Sequence, residues 1–119
     1  MSLLTTLKND ISKLPEPTKR KPTNAEKIEG DPDFRTWLQD ESFDGRVRTG
    51  IWEATPGLTH AIKDDVYEYC LILQGVVEIT EKGREPIVYR AGDSFLFKPG
   101  FRGTWRTIET VRKMYVVAR

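Results

Sequence analysis

The sequence predicts an all-β fold, a small antiparallel jelly-roll barrel, and three observations predict it. From Arg46 onward apolar and polar residues alternate with the period of two that a pleated strand requires. Turn dipeptides interrupt that alternation at Pro56-Gly57, Gln74-Gly75, Gly92-Asp93 and Pro99-Gly100, leaving about eight short strands with no helical stretch among them. Two glycine-punctuated blocks, GLTHAIKDDVYEYCLILQG from Gly57 to Gly75 and EPIVYRAGDSFLFKPGFRGTW from Glu85 to Trp105, follow one plan, as paired hairpins facing one another would.

Composition bounds the rest. A chain of 119 residues is one domain's worth, long enough to bury most of its apolar surface in one core. Nineteen Lys and Arg stand against 18 Asp and Glu, a formal charge of +1, so no global field draws the protein to nucleic acid or an anionic membrane. The single cysteine, Cys70, excludes an internal disulfide framework and fits a reducing compartment. No apolar run approaches a membrane span, and no secretory h-region opens the chain. A soluble, cytoplasmic protein without nucleic-acid or membrane partners is expected.

Along the chain, Leu4, Leu7, Ile11 and Leu14 have the spacing of a short amphipathic helix. Such a helix is marginal alone and must dock on something. Pro15, Pro17 and Pro22, with Lys19, Arg20 and Lys21 between them, read as an extended, solvated connector. Residues 1–31 are therefore assigned to an N-terminal segment and connector, and residues 32–119 to a single barrel domain. Phe34 and Trp37 lie in a weakly patterned arm whose aromatics must be covered. An arm packing on the barrel, or on a second subunit's barrel, would cover them, and with the exposed edge strands this predicts a homodimer.

The strand from Val47 places Val47, Thr49 and Ile51 on one face, with Arg48, Gly50 and Trp52 on the other. A polar loop with the chain's only histidine, His60, then leads into Tyr69–Leu73, apolar enough to be buried on both faces. Val76–Thr80, Ile87–Tyr89, Ser94–Phe97, Thr104–Ile108 and Lys113–Ala118 supply the remaining strands, and the turn at Gly92-Asp93 is explained by an Asx hydrogen bond from Asp93.

Alternation puts Glu68, Cys70, Ile72 and Gln74 on the interior face. A carboxylate there must meet a metal, a cation or hydrogen-bond donors, and a metal and an ion pair with Lys63 or an arginine are equally open. His60 could ligate a metal, act as a base or simply sit on a loop surface. Lys63, Asp64, Asp65 and Glu68 form a mixed-charge group whose oxygen donors suit Mg²⁺, Ca²⁺ or Mn²⁺ better than Zn²⁺, or else a solvated loop. Trp52 and Trp105 point inward, to stack on a flat or cationic ligand or to plug the barrel. Tyr67 and Tyr69 fall on the opposite face. Cys70, beside an interior carboxylate, should have a raised pKa and be no nucleophile.

The two glycine blocks resemble the paired motifs of the cupins. In the first, Gly57 and Glu68 to Gly75 keep the family's spacing, while Lys63 and Asp65 stand at its histidine positions. In the second, Gly92 and Gly100 match, Pro99 sits one place late, and Gly103 stands at the last histidine position. Three of the four usual metal ligands are absent. GIWEATPG, YCLILQG, AGD, KPGFRGTW and ETVRKMYVV resemble the small single-domain cupins grouped with ureidoglycine aminohydrolase and the ethanolamine-utilisation cupin. The resemblance covers roughly the last 75 to 90 residues, a length that suits one jelly roll, and it makes Glu109, Arg112 and Lys113 a tail motif, read as an ion-pair clamp on the rim.

The fold expected is thus a cupin-type antiparallel jelly-roll barrel with an N-terminal arm. Its function is expected to be binding of a small polar metabolite by Trp52, His60, Lys63, Asp65, Glu68 and Trp105 around a degenerate metal site. The alternative that the resemblance implies is a metal-dependent, aminohydrolase-like enzyme for a small nitrogen-containing or carboxylate substrate. There Glu68 and His60 would hold Mn, Mg or Zn, with the absence of any cofactor equally open. A third reading, a structural partner in a larger assembly, predicts an interior packed solid.

Overall fold

The computed structural model describes residues 2–119. Nine strands follow in order: β1 Thr18–Arg20, β2 Lys27–Gly30, β3 Phe34–Ser42, β4 Val47–Ala54, β5 Gly57–Ile62, β6 Tyr67–Glu81, β7 Ile87–Arg90, β8 Ser94–Phe97 and β9 Arg102–Ala118. All pairings are antiparallel. The two long strands, β6 and β9, pair along their lengths and serve both halves of the fold. The second half of β9 pairs with β4 and the first half with β5, while β6 takes β8 along its first half and β7 along its second. One sheet is thereby folded over onto itself, as the jelly-roll pattern predicts.

The corner lies at Gly75, where the sequence predicts a turn between two strands. Instead β6 runs straight through it, and its register against β9 shifts between Ile72 and Val77. Gly75 takes φ +89°, and a Cβ there would lie 2.1 Å from the Thr110 carbonyl oxygen. A bulge re-aims the strand without ending it, so Tyr69–Leu73 and Val76–Thr80 are one strand. Thr104–Ile108 and Lys113–Ala118 likewise merge into β9. Before the bulge the even residues Glu68, Cys70 and Ile72 are buried; after it the odd residues Val77 and Ile79 are.

The interior joins Phe34, Ala54, Cys70, Ile72, Phe97 and Trp105 with the buried residues around them. A second, smaller cluster on the outer face consists of Trp37, Ile51 and Met114. Leu71 and Leu73 pack against it from β6, which is why Tyr69–Leu73 reads as apolar throughout.

The expected N-terminal helix does not form. The segment is extended except for a single 3-10 turn, Ile11–Lys13, which Asp10 caps by accepting from the Ser12 N–H. Helix nucleation in so short a stretch, ended by Pro15, gains too little. Docking supplies the stability: Ile11 and Leu14 cover the outer cluster, and Lys8 exchanges two backbone hydrogen bonds of 2.8 Å with the Gln39 amide. Leu3 and Leu4 remain exposed.

The connector is also more ordered than its composition predicts, because β1 pairs with β3 and β2 with β5. Phe34 and Trp37 do not belong to an arm but to β3, paired with β4. Phe34 enters the interior and Trp37 lies beneath Ile11 and Leu14, so both are covered by their own chain, at 4% and 5% exposure. The need to cover them, which pointed to a second subunit, is met within one chain.

Candidate functional site

Two adjacent strands and one loop bring the charged interior together. Trp52 on β4 lies opposite Lys113 on β9 in register, and Lys113 lies opposite Ile72 on β6. Period-two alternation turns Val111, Lys113 and Tyr115 inward while Arg112 and Met114 face outward. Glu68 enters from the first half of β6. Lys63 follows β5, held where its N–H donates to the Phe101 carbonyl at 3.0 Å.

Glu68 stands between the two ammonium groups. Its Oε1 accepts from Lys63 Nζ at 2.7 Å and its Oε2 from Lys113 Nζ at 2.5 Å. The Cys70 thiol donates to Oε2 at 3.3 Å. Lys113 is 6% exposed, and its ammonium lies 4.6 Å from the Trp52 ring centre and 4.5 Å from that of Trp105. The two indoles meet edge to face at 5.2 Å, so the lysine occupies the aromatic corner they form. Lys63 lies over the Phe97 ring at 4.5 Å.

Burial pushes the Glu68 carboxyl upward, but Lys113 and Lys63 outweigh it and hold its pKa at about 2. Burial also works against the Lys113 ammonium; the Cys70 sulfur and the Glu68 carboxylate oppose it, and the group stands above the ordinary lysine value. The Cys70 thiol, mainly through burial, is pushed up to about 12, as expected for a cysteine that is no nucleophile.

These shifts make a prediction for acid unfolding. A carboxylate whose folded pKa lies below its unfolded value stabilises the fold above the unfolded pKa and loses that contribution as pH falls towards the folded one. For Glu68 that window runs from its ordinary 4.5 down to about 2. Urea midpoints are therefore expected to fall through this range in the wild type and to fall less in Glu68→Gln. Equal slopes would show that Glu68 does not supply the acid sensitivity.

The other sequence candidates are dispersed. The expected polar loop around His60 is strand β5, and His60 is exposed while its neighbours Thr59 and Ala61 are buried. Its N–H donates to the Glu26 carbonyl at 2.8 Å. His60 borders the cavity described below, on the face of β5 opposite the buried Thr59 and Ala61. Asp65 is exposed in the turn before β6. Trp52, Lys63, Glu68 and Trp105 are the four that the fold brings together. The Trp105 N–H is already committed to Thr107 Oγ1 at 2.9 Å, which leaves only its ring for other contacts.

Lys113 is the residue that strand counting misplaces. Neither it nor Arg112 forms a rim clamp with Glu109: Lys113 is interior, Glu109 is exposed, and Arg112 is on the outer face. There Arg112 grips Glu53 Oε2 with Nη2 at 2.7 Å and donates to Gln74 Oε1 at 3.2 Å. Arg35 binds the other Glu53 oxygen through Nε at 2.8 Å. Parity counted from Trp105 and Thr107 across the exposed Glu109 to Val111 places Lys113 inward, and that count is lost when β9 is read as two strands.

The donor set does not fit a metal. Both Glu68 oxygens are taken by ammonium groups, and a cation brought to them would meet two like charges. Among the described residues no group of three His, Cys, Asp or Glu side chains could hold a metal ion.

A cavity of about 1030 Å³ opens beside this cluster, its inner wall made by the buried Phe34, Glu68, Trp105 and Lys113 with the half-buried Trp52 and Lys63. A jelly roll with polar residues gathered inside one mouth is the architecture of the cupins. The EutQ-like cupin domain matches residues 41–115, and the chain belongs to that family. Among solved structures, a Pseudomonas syringae protein of unknown function in the DUF861 family superposes with a TM-score of 0.76 at 22% identity, covering 86% of this chain and 43% of that one. The chain thus spans less than half of the Pseudomonas protein's length. A Thermotoga maritima DUF861 family protein is 37% identical over 55% of this chain and 73% of its own, with a TM-score of 0.51. The Clostridium difficile EutQ protein gives 0.63 at 16% identity, covering 73% and 68%. No curated protein matches the chain.

Proposed function

We propose that this cupin is a small-molecule-binding protein. It takes a small polar metabolite into the cavity beside Trp52 and holds it at the Lys63–Glu68–Lys113 cluster, without a metal. The observation that carries this reading is Glu68 bound by two ammonium groups at 2.7 and 2.5 Å on the wall of an open cavity. Ionic groups are expensive to bury and seldom improve on apolar packing, and they cluster where a ligand must be recognised. The open mouth of about 1030 Å³, reaching from Glu68 out to Arg46 and Arg119, gives such a ligand room. The metal-dependent reading is the weaker one, because Lys63 and Lys113 take the coordination sites of the carboxylate it would need.

The test is a thermal-shift screen of small polar metabolites, read in parallel by tryptophan fluorescence and repeated with a chelator. A binder should raise the melting temperature, perturb the indole emission and be indifferent to the chelator. Present at a hundred times its Kd, it adds about 2.7 kcal/mol of stability. Near-stoichiometric Mn, Mg or Zn in purified protein, lost in Glu68→Gln, would overturn this reading in favour of the metal-dependent enzyme.

A further inference from the structure

The charges of the cavity specify its ligand more closely than its size does. Six Lys and Arg line it, Arg20, Arg46, Arg48, Lys63, Lys113 and Arg119, against three acidic residues, Glu26, Asp44 and Glu68. The chain's 19 basic and 18 acidic side chains total +1, so a wall of +3 leaves −2 on everything else. Positive charge is concentrated on this one concave surface, where low-dielectric walls focus it.

The interior balance points the same way. Glu68 is one negative charge shared by two positive ones, and the Cys70 thiol adds none. The cluster therefore keeps one unbalanced positive charge at the cavity wall, a state a buried group tolerates only with a counter-charge in reach. Lys113 has its compensation in the two indole faces. Lys63 has less: its side chain is 19% exposed, and among the described residues its Nζ makes one hydrogen bond, to Glu68. An ammonium has three donors, so two remain for whatever enters. Further out, Arg20 is engaged by Glu26 and Arg48 by Glu41, whereas Arg46 and Arg119 pair with no carboxylate among the described residues, Arg46 donating from Nε only to the Phe43 carbonyl at 3.3 Å.

A cationic ligand is disfavoured by the same geometry. The aromatic corner that would attract it is already filled by the Lys113 ammonium, at 4.6 and 4.5 Å from the two ring centres. Resting on the reading of the cavity as a small-molecule site, we infer that its ligand is a small organic carboxylate. Its anionic group is taken by Lys63 with the unpaired rim arginines, and its carbon skeleton lies against the partly exposed Trp52.

Titration calorimetry and amide chemical shifts can test this with matched probes: malonate, succinate and benzoate, their neutral amides, putrescine, and inorganic sulfate. The carboxylates are expected to bind wild type, to shift amides near Trp52, Lys63 and Trp105, and to weaken at least tenfold between low and high salt. Lys63→Gln should weaken them by tenfold or more. Should that variant unfold, Arg46→Gln, at an exposed site, must still lower affinity severalfold. Amides or putrescine binding as tightly as the carboxylates would overturn the ligand class while leaving the binding reading intact. Sulfate binding as well as any carboxylate would overturn the organic-acid assignment. If no probe of any class binds, and the wider metabolite screen also finds none, the binding reading itself fails.

Discussion

Glu68→Gln is expected to destabilise the fold by on the order of 3 to 5 kcal/mol, a magnitude typical of removing one partner from a buried ion cluster. The substitution keeps the shape of the side chain and removes only its charge. Lys113, 6% exposed, then sits between two indoles beside a second ammonium with no anion between them. Part of the loss should return in the double variant Glu68→Gln, Lys113→Met, where an unbranched apolar side chain fills the same aromatic corner. Urea denaturation of the wild type, both single variants and the double variant closes a mutant cycle. A coupling of about 1 to 3 kcal/mol is expected for groups in direct contact. Additive effects would mean that Glu68 and Lys113 act independently, and the cluster would lose its claim to be one unit.

Gly75→Ala should lower stability by roughly 3 kcal/mol or more, because two penalties coincide there. A non-glycine residue in the left-handed region costs about 1 to 2 kcal/mol, and Gly75 has φ +89°. The new methyl would in addition lie 2.1 Å from the Thr110 carbonyl oxygen and 2.8 Å from the Val111 Cα, backbone atoms of β9 that cannot step aside without breaking the corner. Gly83→Ala separates the two effects. Gly83 has φ +80°, but nothing lies within 4 Å of the place its methyl would take, so it should lose only the conformational part. In a domain of this size each kcal/mol moves the melting temperature by about 4 to 8 °C, and the two variants should differ by at least that. Equal melting temperatures would mean that the corner does not depend on close approach at Gly75.

The barrel is legible in the residues because strand alternation and glycine turns are local signals. Trp52, Glu68 and Trp105 can be turned inward by counting alone, and a Glu68–Lys63 ion pair is one of the two partnerships that counting leaves open. The counting fails where a bulge resets it. Reading Gly75 as a turn divides β6, and the matching division of β9 hides Lys113 from the interior it shares with Trp105. The N-terminal segment departs from expectation for a different reason: helical spacing of Leu4, Leu7, Ile11 and Leu14 says which residues should be covered, while only the outer surface of the sheet decides which of them are, and in what backbone conformation.

By itself, then, the sequence determined an all-β jelly roll and the inward face of most of its strands, since both follow from a period of two and from residues that permit turns; the cupin type came only from the resemblance of its two glycine blocks to that family's motifs. Tertiary structure alone decided that β6 and β9 pass unbroken around the corner, that Ile11 and Leu14 dock through a 3-10 turn in place of a helix, and that Lys113 completes the site. Each of these depends on contacts between segments far apart in the chain, Gly75 against Thr110, Ile11 against Trp37, Lys113 against Glu68, and no local pattern records the distance between such partners.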